Sequence, residues 1–88
     1  MTREELIEKT EQLCELYKEL GKEGVFGILH SMGETRIQCE DYTLAKFAGG
    51  NPTKIRERTT ENYPTETYIK LDKFTAFTLN EVAQNDEG

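Results

Sequence analysis

The first twenty residues constrain this chain more than any other stretch. Leu6, Ile7, Thr10, Leu13, Cys14, Tyr17 and Leu20 recur at spacings of three and four, which lines them along one helical face. Thr2 followed by Glu5 has the pattern of a capping box. Glu5 and Lys9 stand in the favourable i,i+4 order, and Gly21 supplies a left-handed stop. The spacing predicts a helix over 2–20. In a chain of 88 residues this leaves room for one domain with a thin core.

Beyond the helix the chain breaks into short alternating runs separated by turn residues. Residues 24–32 and 35–40 read as a hairpin about Gly33-Glu34. That register sets His30 opposite Ile37 and Ile28 opposite Cys39. Phe26, Ile28, Ile37 and Cys39 then share one face, and Arg36, Gln38 and Glu40 the other. Asp41 can cap a short helix over 42–48 that carries Leu44, Phe47 and Ala48 and ends at Gly49-Gly50-Asn51-Pro52. Residues 53–60, with Ile55 as the one strong apolar side chain, read as a polar edge strand. Residues 65–71 and 74–79 form a second hairpin around Asp72-Lys73. It pairs Leu71 with Phe74, Ile69 with Ala76 and Thr67 with Thr78, with Tyr68 and Phe77 paired on the opposite face.

The expected fold is α+β, in the order α-β-β-α(short)-β-β-β, with the N-terminal helix packed on an antiparallel sheet of about five strands. Residues 1–80 form the single domain and 81–88 an acidic flexible tail. The long helix is expected over the Phe26, Ile28, Ile37 and Ile69 side. Tyr68, Phe77, Leu79, Val25 and Leu29 then lie on a second face, which is either closed by the short helix and tail or serves as an interface.

Residues that carry chemistry are sparse. His30 is the sole histidine and Ser31 the sole serine, and neighbours in a strand point to opposite faces. His30 beside Cys39 could imitate a Cys-His pair, but no third group orients it. Cys14 and Cys39 both occupy apolar positions and read as buried, reduced thiols. No Cys/His spacing suits zinc, no EF-hand spacing is present, and the Gly49-Gly50 loop lacks the phosphate-loop pattern. The expectation is a non-enzymatic protein with no cofactor and no metal. The formal net charge of −6 opposes nucleic acid and anionic membranes, and no run has the length of a membrane span.

Lys54, Arg56 and Arg58 alternate onto one strand face, with Arg58–Glu66 pairing and Arg56–Tyr68 stacking within reach. The C-terminal third resembles small proteins encoded by phages and prophages of Gram-positive bacteria. The resemblance rests on Glu61-Asn62-Tyr63-Pro64-Thr65-Glu66, Ile69-Lys70-Leu71-Asp72 and Phe74-Thr75-Ala76-Phe77, with Asp72-Lys73 where Asp-Gly is expected. It implies a final hairpin, a bacterial host cytoplasm and no catalytic motif.

These features point first to a protein-interaction module that binds itself or a host protein. Its candidate surface is Tyr68, Phe77 and Leu79 together with the acidic helix residues Glu8, Glu11 and Glu15. The alternatives are an anion or nucleic-acid binder using Lys54, Arg56 and Arg58, and a structural component of a virion.

Overall fold

The computed structural model describes residues 1–59 and 61–81. Its first helix, α1, spans Arg3–Lys22 and opens on a complete capping box: Glu5 N donates to Thr2 Oγ1 at 3.1 Å, and Thr2 N donates to Glu5 Oε1 at 2.8 Å. The helix runs through Gly21. The left-handed residue that ends it is Gly24, with φ 94°, where a Cβ would lie 2.1 Å from Thr43 Oγ1.

Strand β1 (Val25–Ser31) turns into β2 (Glu34–Cys39) through Met32-Gly33, both at positive φ (54° and 78°). This is the two-residue turn whose twist suits a hairpin, one residue earlier than the sequence suggested. Ile28 therefore faces Ile37, and His30 faces Thr35. A shift of two leaves the face of each residue unchanged, except beyond a bulge at Phe26, where Val25 rather than its neighbour meets Cys39. The bulge reverses the expected placement: Val25 is 2% exposed in the core and Phe26 is 50% exposed.

Helix α2 (Asp41–Ala48) is capped by the backbone of Glu40 without a side-chain bond. Asp41 is not the cap. It lies in the first turn, and its Oδ1 accepts a hydrogen bond from Thr78 Oγ1 at 3.1 Å. Strands β3 (Lys54–Glu57), β4 (Thr65–Lys70) and β5 (Thr75–Asn80) complete one sheet in the order β1-β2-β5-β4-β3. The β4–β5 hairpin has the expected pairs Ile69–Ala76, Thr67–Thr78 and Tyr68–Phe77. The sheet is mixed rather than antiparallel, because β2 and β5 pair in parallel, Ile37 with Ala76. After β2 the chain crosses to the far edge and returns through β3 and β4, so that β5 fills the central gap.

The α+β architecture with an N-terminal helix packed on a five-stranded sheet is as expected, but the two helices divide the work differently. Leu44 and Ala48 of α2 close the core with Val25, Cys39, Ile69 and Ala76, and Ile37, Phe47 and Phe74 pack around them. The face assigned to the long helix is thus roofed by the short one. α1 rests on β1, and each of its residues is exposed, Cys14 included. The tail expected over 81–88 lies outside the described residues beyond Glu81.

The core is small and rich in threonine, and its hydroxyls find acceptors. Thr43 Oγ1 donates to the Glu23 carbonyl at 2.6 Å, tying the end of α1 to α2, and Thr75 Oγ1 donates to Glu34 Oε2 at 3.2 Å. Cys39 Sγ donates to the Phe77 carbonyl at 3.6 Å. Burial, and then the charges of Asp41 and Glu40, push its thiol up to about 11. The two cysteines should therefore separate cleanly in a labelling experiment at pH 8. In dilute native protein Cys14 should react with a thiol reagent while Cys39 stays protected, and Cys39 should react only on unfolding. Equal rates would contradict the placement of either residue.

Candidate functional site

Two surfaces stand out, one on the sheet and one on α1. The sheet surface is the face opposite α2. Alternation along β4 brings Glu66 and Tyr68 to it, and β5 adds Phe77 and Leu79. From β2 comes Arg36, and from β3 and the residue beyond come Lys54, Arg56 and Arg58. Glu66 is only 2% exposed, and three guanidinium groups converge on it. Arg36 Nη2 and Arg56 Nη2 (3.0 Å) donate to Oε2, as does Arg56 Nε at 3.1 Å, and Arg58 Nη1 donates to Oε1 at 3.0 Å.

Stacking holds the same guanidinium groups in place. The Arg36 Cζ sits 4.1 Å from the ring centre of Phe77, and the Arg56 Cζ sits 4.5 Å from that of Tyr68. Burial alone would raise the Glu66 carboxyl. The hydrogen bonds from Arg36 and Arg58 and the charges of Arg36 and Arg56 outweigh it and hold the group below its ordinary value of 4.5.

This arrangement changes what the expected surface residues do. Phe77 is 2% exposed, and Arg36 lies over it. Tyr68 is half-buried under Arg56, and Leu79 is half-buried beside them. Of the apolar group anticipated on the second face, Phe77 and Tyr68 are covered by arginine, Leu29 stays 51% exposed, and Val25 belongs to the core on the other side. Arg58–Glu66 pairing and Arg56–Tyr68 stacking both occur, so these two cations are engaged with Glu66 and not presented as a free row, while Lys54 is exposed opposite Tyr68. Sequence reasoning missed Arg36, because nothing local says that β2 lies beside β5.

The second surface is α1. Its apolar arc points to solvent: Leu6 is 57%, Leu13 54% and Leu16 56% exposed, and Ile7, Tyr17 and Leu20 are exposed as well. Tyr17 is the anchor to the sheet, its Oη donating to the Phe26 carbonyl at 2.8 Å. A shallow hollow between Cys14, Tyr17, Lys18, Val25 and Phe26 continues the arc onto β1. Glu8, Glu11 and Glu15 lie exposed on the other side of the helix.

Among the described residues no group of three or more His, Cys, Asp or Glu could hold a metal, and no helix is long and apolar enough to cross a membrane. His30 Nδ1 is 2.7 Å from Thr35 Oγ1, at the opposite end of the β1–β2 hairpin from Cys39, so the two do not form a pair. Comparison with known proteins finds no matching family model, no matching curated protein and no matching solved structure.

The role of Glu66 has a direct test. Glu66→Gln should lower the unfolding free energy by about 2–3 kcal/mol at neutral pH, less than for a fully enclosed pair because the arginines reach solvent. A carboxylate with a lowered pKa stabilises the fold above its ordinary value and loses that contribution as pH falls through its own lowered value. Urea titrations of both proteins should thus differ fully at pH 7, and the difference should shrink only as pH falls below the ordinary carboxyl value and through the lowered one. A constant difference across that range would remove Glu66 as the cause.

Proposed function

We propose that this chain is a non-enzymatic protein-interaction module whose contact element is the apolar arc of α1. The observation that carries this reading is a 20-residue amphipathic helix with no buried residue. In proteins a helix takes most of its stability from packing its amphipathic face and not from intrinsic propensity. Here α2 packs on one sheet face and arginines cover Phe77 and Tyr68 on the other, while the leucines of the arc stay exposed to another molecule. The resemblance of the C-terminal third to small phage and prophage proteins supports a setting in the cytoplasm of a bacterial host. The net charge of −6 favours a protein partner over nucleic acid or an anionic membrane.

A photoreactive amino acid at position 13, in the full chain expressed in a Gram-positive bacterium, should give a discrete covalent adduct. The same group at position 73, in the β4–β5 turn, should not. An adduct at position 68 but none at position 13 would move the contact surface back to the sheet face. No adduct at either position would remove the interaction reading.

A further inference from the structure

We infer that the partner of α1 is the α1 of a second copy of this chain, so that the protein is a homodimer joined through its first helix. The inference rests on the interaction reading and names the occupant of that surface. Two observations carry it, the spacing of the arc and its exposure.

Leu6, Thr10, Leu13, Tyr17 and Leu20 follow one another at intervals of four, three, four and three. This is the alternation that keeps a seam facing a second helix along its whole length. Leucine holds every position of one set (Leu6, Leu13, Leu20), and Thr10 and Tyr17 hold the other. Ile7, Cys14 and Leu16 flank the seam and broaden it. The acidic residues Glu4, Glu8, Glu11 and Glu15 fall on the opposite side of the helix, so pairing along the seam does not force their charges together. Within the chain itself Tyr17 is tied to β1 through the Phe26 carbonyl, and the leucines remain exposed.

The exposure agrees. Along the seam Leu6 is 57%, Leu13 54% and Leu20 38% exposed, and Phe26 of β1, beside Tyr17, is 50% exposed, so a second copy set against the seam would cover a continuous apolar row. A helix face is also self-complementary under a two-fold axis, which is how most homodimers close.

Sedimentation equilibrium of the full chain, from low micromolar to several hundred micromolar, tests this. The expected result is a species of twice the monomer mass of 10.1 kDa. Leu13→Glu should weaken it at least tenfold, and Leu6→Glu should do the same. Neither substitution touches the core, and continued protection of Cys39 from labelling would show that each variant is folded. Lys73→Glu should leave the dimer unchanged.

A wild-type chain that stays monomeric throughout would overturn the inference. So would a dimer that survives both leucine substitutions, because it would form through another face. If the chain is monomeric and position 13 still cross-links to a different protein, the interaction reading stands and only the second copy is wrong.

Discussion

The Glu66 carboxylate sets the shape of everything around it. It stands on β4, yet it binds arginines from β2 on one side and from β3 on the other, with β5 and its Phe77 lying beneath the span. One buried group thus ties four strands in a fixed order, including the parallel β2–β5 pair. Removing it would leave three cations facing one another over a buried aromatic ring. The arrangement has a second consequence. Guanidinium groups over Phe77 and Tyr68 cover two rings that would otherwise need a helix above them.

With Phe77 and Tyr68 under arginine and α2 packed on the other face, the long helix lies against β1 and not across the sheet. Its exposure therefore stems from how the rest of the chain satisfies itself. The connection reinforces this: Gly24 turns sharply under Tyr42 and Thr43, and Thr43 holds the carbonyl of Glu23, so the root of α1 is fixed while its leucines point away from the core.

What the sequence revealed was local. The capping box lies within one helical turn, and the β4–β5 register, the Arg58–Glu66 pair and the Arg56–Tyr68 stack involve one hairpin or neighbouring strands, where alternation and turn length decide the geometry. Three features were not legible. The parallel pairing of β2 with β5 joins segments separated by α2, β3 and β4, and no local pattern encodes it. Arg36 could be linked to Glu66 only once that pairing was known. The bulge at Phe26 exchanged the faces of Val25 and its neighbour, and a Gly27 within the strand was the one hint of it. The periodicity of α1 showed correctly that it has an apolar face, but periodicity says what a helix can bury and not against which surface.

Amide hydrogen exchange of the dilute chain, below one micromolar, measures most directly whether α1 is supported by its own molecule. The amides between Leu6 and Leu20 should exchange orders of magnitude faster than those of β4 and β5, because their helix buries none of its residues and opens without the sheet. Protection of α1 equal to that of β4 and β5 in the monomer would mean that the helix is stabilised within its own chain, and its role as a contact element would fall.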